Sequence, residues 1–130
     1  MNYNALTRRY FEMPAAAGEL SGADVSRGAS GSVAAGTWVQ FDLQAASTTL
    51  QAARFLAFGC PHTIAVAAWL TEQAPGRVLT PALPEGVQAL STRFEVPIPK
   101  LGRLLIVEDA WIAAATRALA RVNALIKIAP

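Results

Sequence analysis

The only cysteine and the only histidine of this chain, Cys60 and His62, sit two residues apart in the run Phe58-Gly59-Cys60-Pro61-His62-Thr63-Ile64-Ala65. A thiolate is a nucleophile and a soft metal ligand, and an imidazole is a base and a ligand, so a reactive or metal-binding centre in this chain is expected here. One thiol and one imidazole cannot complete any of the usual four-donor Cys/His zinc sites on a single chain, and a lone cysteine excludes an intrachain disulfide. Use of Cys60 as a nucleophile with His62 as base finds no orienting carboxylate and no oxyanion device in the sequence.

The elements that must position this pair follow from period and punctuation. Asn4 to Phe11 reads as a short helix closed near Met13-Pro14, because proline disfavours the helical conformation in the residue before it. Ala15 to Gly36, rich in Gly, Ala and Ser, reads as loop or irregular edge strand. Thr37 to Leu43 alternates, with Val39, Phe41 and Leu43 on one face and Gln40 and Asp42 on the other, the pattern of a half-buried strand. Thr48 to Phe58 is its expected hairpin partner. Pro61 is suited to the first position of a helix, where its missing N–H costs nothing, and that helix should run to about Gln73 before Pro75-Gly76. Glu85 to Phe94 reads as a further short helix. In the last segment Leu104, Val107, Trp111, Ala114, Ala118, Val122 and Leu125 recur at spacings of three and four, which places them on one helical face with Arg117 and Arg121 off it. The order predicts an α+β fold: a small antiparallel sheet covered on one side by helices, with a long C-terminal helix, as one domain over 1–130. Cys60 then lies where a strand ends and a helix begins, where partial positive charge and free N–H groups favour the thiolate.

Composition sets the outer bounds. The chain has 130 residues, 53% of them hydrophobic, and a net charge of +2. Its mean hydropathy of +0.33 is inflated by alanine, and no apolar run approaches the roughly 20 residues that span a bilayer. Lys and Arg are scattered, not clustered among aromatics, which argues against nucleic acid as a partner. The first residues lack the basic-then-apolar order of a signal peptide, so a soluble cytoplasmic protein of bacterial type is expected. Trp38, Trp69 and Trp111 are expected as core or interface aromatics.

Along nearly its whole length the chain resembles the U-type iron-sulfur cluster scaffold family, comprising the IscU proteins and the N-terminal domain of NifU. Tyr3-Asn4, Phe11, Pro14, Gly18 and Leu20 match the family's opening pattern. Phe58-Gly59-Cys60 with Ile64-Ala65 matches its second cysteine segment, Leu70-Thr71-Glu72 with Gly76 the stretch just after that segment, and Glu108-Asp109-Ala110 an acidic-alanine step in the last helix. The resemblance implies a pocket in which three cysteines, an aspartate and a histidine hold iron, an iron-sulfur cluster or zinc. Laid over that pattern, Ala35 falls at the first cysteine, Thr37 at the aspartate, Gly102 at the histidine and Arg103 at the third cysteine. Cys60 alone survives. The family's persulfide acceptor is the cysteine that Arg103 replaces, and if Arg103 faces Cys60 its guanidinium favours the thiolate where relatives place metal.

The resemblance further implies a choice. Either iron or a cluster is held weakly or by a homodimer that joins two Cys60 and two His62, or by external thiols such as glutathione. Or the chain is an adaptor without metal, regulating assembly through a cysteine desulfurase or chaperone. Val96-Pro97-Ile98-Pro99-Lys100 resembles the loop by which the family's dedicated Hsp70-type chaperone recognises it. Pro97 and Lys100 match directly, and two prolines predict an extended, preorganised segment, suited also to serve as a rigid linker before the last helix.

Overall fold

The computed structural model describes residues 3–14 and 16–128. Three strands, β1 (Val25–Ser32), β2 (Thr37–Ala46) and β3 (Thr49–Phe58), form one antiparallel sheet in the order β1-β2-β3. Helices α1 (Ala5–Glu12), α2 (Pro61–Gln73), α3 (Val87–Arg93) and α4 (Leu101–Ile128) complete the fold, with a 3-10 turn at Ile98–Lys100 leading into α4. This is the expected α+β architecture with its long last helix.

Alternation decides which face of the sheet is covered. Val39, Phe41 and Leu43 of β2 are fully buried, and Phe41 meets Trp111 of α4 edge-on with ring centroids 5.1 Å apart. α4 presents Leu104, Val107, Trp111, Ala114, Ala118 and Val122 to that core. The same stripe does not extend to Leu125, which is 55% exposed because it lies near the end of the described helix, beyond the core residues. Off the stripe, Arg117 and Arg121 donate to the backbone carbonyls of Arg27 and Ala23, within and beside β1.

The segment expected as loop or irregular edge strand contains a regular eight-residue strand, β1; Ala15, at its start, lies outside the described residues. Small residues are required there by packing. A Cβ on Gly28 would collide with the α4 backbone at Ala114, Ala113 and Ala110, so α4 can lie this close to β1 only over a glycine.

The outer face of β2 corrects a second expectation. Gln40 and Asp42 are buried, not solvated, at 8% and 0% exposure. The Ala16–Leu20 segment accounts for this: Ala16 and Gly18 pair with Phe55 along the free edge of β3, and Leu20 N–H then donates to Asp42 at 2.9 Å. Arg27 donates to the same carboxylate through Nε at 2.7 Å and Nη2 at 2.9 Å.

α1 is tied to the far end of α3. Asn4 caps α1 by accepting from Thr7 N–H at 2.8 Å and donates to the Arg93 carbonyl, while the Thr7 hydroxyl donates to the Phe94 carbonyl. α3 begins at Val87 after Gly86, two residues later than expected. Glu85 stands outside it and forms an ion pair with Arg93 at 2.9 Å.

Candidate functional site

Cys60 is the residue at which β3 gives way to α2. Its backbone is extended, with φ −75° and ψ 166°, and Pro61 opens the helix, as the sequence predicts. The sulfur is half-buried. The Thr63 hydroxyl lies 3.5 Å from Sγ. Burial pushes the Cys60 pKa up, but the Thr63 hydroxyl, the Thr63 N–H, the Arg103 guanidinium and the His62 N–H together outweigh it and hold the thiol below its ordinary value. Cys60 and Arg103 therefore meet, although they stand 43 positions apart in sequence (103 − 60). The junction of α2 with β3 supplies one and the first turn of α4 the other.

His62 does not sit in the open beside the thiol. It is 3% exposed, its ring is edge-on to Tyr3 with centroids 4.7 Å apart, and its Nδ1 is buried with no hydrogen-bond partner. Burial, followed by the Lys100 and Arg103 charges, lowers its pKa, so the ring is neutral at pH 7. Lys100 in turn lies over Tyr3, Nζ 5.6 Å from the ring centroid.

The remaining residues of the overlay are spread around this corner. Thr37 is 5% exposed at the start of β2, one residue before the Trp38–Phe58 pair that precedes Gly59 and Cys60. Ala35 is exposed in the β1–β2 turn, its N–H bonded to Ser32 Oγ at 3.0 Å. Gly102 is exposed at the start of α4 with open space where a Cβ would stand. Among the described residues no three His, Cys, Asp or Glu side chains group to hold a metal. With one sulfur facing a guanidinium, the donors of a single chain do not fit an iron, zinc or cluster site.

Sequence reasoning assigned no part in the site to Thr63 and Tyr3. Thr63 carried a signal: with Cys60 as N-cap it occupies the third helical position, where a side chain reaches back toward the cap. Tyr3 carried none, since its contact with His62 depends on how the residues before α1 cross α2.

Val96-Pro97-Ile98-Pro99-Lys100 is only partly extended. Pro97 is, at φ −60° and ψ 145°, but Ile98–Lys100 coils into the 3-10 turn, because the chain must rotate directly into α4. Ile98 is 82% exposed and Val96 is buried.

Comparison with known proteins gives concordant results. Residues 2–123 match the family described as NifU-like N terminal domain. The iron-sulfur cluster assembly protein IscU of Plasmodium falciparum (isolate 3D7) is 27% identical over 111 residues, covering 84% of this chain and 68% of that protein. Iron sulfur cluster assembly protein 1 of Trachipleistophora hominis is 28% identical over 115 residues, covering 87% and 83%. Among solved structures, a protein from Fervidobacterium islandicum AW-1 described as an iron-sulfur cluster assembly scaffold for the SUF system superposes with a TM-score of 0.65 at 14% identity, over 89% of this chain and 96% of that one. The N-terminal part of a nitrogen-fixing NifU-like protein from Brucella abortus gives 0.56 at 15%, over 98% and 95%. At such identities these two likenesses show the fold.

Proposed function

This chain belongs to the NifU-like N-terminal domain family, and from that membership we propose that it serves iron-sulfur cluster assembly as a scaffold-shaped, non-enzymatic protein whose working group is the Cys60 thiolate. The observation that carries this reading is the meeting of Cys60 with the Thr63 hydroxyl and the Arg103 guanidinium at the start of α2. Such surroundings favour the charged form of a half-buried sulfur.

Iron or a cluster is then cargo that Cys60 holds weakly and only with donors from outside the chain. A second copy bringing its own Cys60 or an external thiol such as glutathione would supply them. His62 contributes to such a shell if Tyr3 moves off its ring, since it is 3% exposed as the chain stands.

The Arg103 cation in front of the sulfur favours a second reading. An adaptor of scaffold shape would engage a cysteine desulfurase or an Hsp70-type chaperone and carry no metal. Pro97, Ile98 and Pro99 are exposed at the place where a chaperone would take hold, with Val96 and Lys100 anchoring the segment at either end.

One experiment separates these readings: iron and acid-labile sulfide content, with the visible spectrum, after anaerobic reconstitution of wild type and Cys60→Ala. A cluster present in wild type and absent from the variant supports cargo binding through Cys60. No cluster in either leaves the adaptor. A cluster equally present in both removes Cys60 from the function.

A further inference from the structure

Distant from Cys60, at the opposite end of β3, the start of that strand, the Arg77–Pro84 connection and α4 enclose a half-open cavity of about 290 Å³. Leu50 and Cys60 are ten residues apart, eight of those steps within the strand to Phe58, or roughly 25 Å at the rise of a β-strand. Leu50, Leu83 and Pro84 give the cavity an apolar wall, and Arg77 and Trp111 bring polar atoms to it.

Trp111 is the unusual member. The ring is 1% exposed, and buried indoles ordinarily find an acceptor for their N–H. Among the described residues this N–H has none, yet it is not sealed in protein, for the sealed and unpartnered side-chain atoms reduce to His62 Nδ1. Trp111 is among the residues that line the cavity. Arg77 gives Nε to the Gln73 carbonyl at 3.0 Å, which leaves the two terminal nitrogens of its guanidinium to face a ligand. No acidic side chain lines the cavity.

We propose that this cavity binds a small carboxylate with an apolar tail: the carboxylate accepts from Arg77, the Trp111 N–H supplies a second donor, and the tail lies against Leu50, Leu83 and Pro84. The volume sits at the lower end of small-molecule sites, which fits a ligand of fragment size bound in the millimolar range.

The test uses hexanoate and 1-hexanol as probes on ¹⁵N-labelled full chain, read at the assigned indole N–H resonances of Trp38, Trp69 and Trp111. Hexanoate is expected to move the Trp111 resonance saturably with a millimolar midpoint and to leave Trp38 in place. The uncharged alcohol should bind about three- to fivefold more weakly, the size of a solvent-exposed ion pair. Arg77→Gln, a change at an exposed residue, should abolish that preference. Ala82→Phe, at an exposed lining position, should block both probes. No saturable movement of Trp111, equal binding of acid and alcohol, or binding that survives Ala82→Phe would each overturn the proposal. So would a Trp111 shift that follows protein concentration in the absence of probe, which would put a second copy of the chain in the cavity.

Discussion

Replacing Asp42 by Asn tests the account of the buried outer face of the sheet. The carboxylate has no solvent exposure and accepts from Arg27 Nε at 2.7 Å, Arg27 Nη2 at 2.9 Å and Leu20 N–H at 2.9 Å, with Gln40 Nε2 more distant at 3.4 Å. Asparagine with its oxygen at the Oδ2 place still accepts from Leu20 N–H and Arg27 Nη2, but the charge is gone and its N–H donors stand where Oδ1 accepted from Arg27 Nε and Gln40 Nε2. Breaking a buried pair costs about 3–5 kcal/mol. The Arg27 side chain is 46% exposed and recovers water when its partner is lost, so the lower end applies, about 3 kcal/mol. For a chain of this size that lowers Tm by roughly 10 °C.

Urea unfolding followed by tryptophan fluorescence, with calorimetry beside it, measures both. Burial pushes the Asp42 pKa up, but Arg27, the Leu20 N–H and Gln40 more than compensate, and the folded value lies below the ordinary one. A carboxylate with a depressed folded pKa stabilises above its unfolded pKa of about 4, and that stability is lost as pH falls through the folded value. The gap between wild type and variant should therefore be full at pH 7 and close in acid below about pH 4. A loss under about 1 kcal/mol at pH 7, below the scale of a single charged hydrogen bond, would refute the reasoning. So would a gap indifferent to pH.

Three further outcomes are expected. Arg103→Gln should slow iodoacetamide alkylation of Cys60 at pH 7 by about two- to fivefold, since the thiol loses a cation that holds its pKa down; an unchanged rate would separate Arg103 from the sulfur. Gly28→Ala should cost about 3 kcal/mol in urea unfolding, because the new methyl meets α4 backbone that has no side-chain freedom to yield. Gly102→Ala, with nothing near the added methyl, should instead raise stability by about 0.5–1 kcal/mol by removing a helical glycine, and a loss there would mean that the first turn of α4 is not helical in solution.

The helices were the legible part of the sequence. Pro61 at the first position and Pro75-Gly76 after the last fix α2 by local rules, and they correctly bound it at Pro61–Gln73. The stripe of α4 is equally local, and it fails only at Leu125, where the core stops and the pattern does not. β1 was hidden because its composition answers a distant requirement, the approach of the α4 backbone over Gly28. Gln40 and Asp42 misled for the same kind of reason. Period two names the two faces of a strand, but a loop laid across one of them by Leu20 leaves no trace in that period. At the candidate site the place of Cys60 followed from its neighbours, while its pairing with Arg103 came through the family resemblance and no local pattern carried it.

The contacts from Arg117 and Arg121 to the carbonyls of Arg27 and Ala23 bear on how copies of this chain can meet. Among the described residues the outer edge of β1 has no neighbouring strand, whereas that of β3 is bonded by Ala16 and Gly18, and an open rim recruits another chain through its unpaired backbone. The Arg117 guanidinium reaching over from α4 occupies a carbonyl of β1 itself, Arg121 holds the chain just before the strand, and the two place positive charge along this rim where a second copy would bring the same charge. Sheet-to-sheet growth through this rim is thereby disfavoured, so the last helix protects the edge of the sheet as well as covering its face.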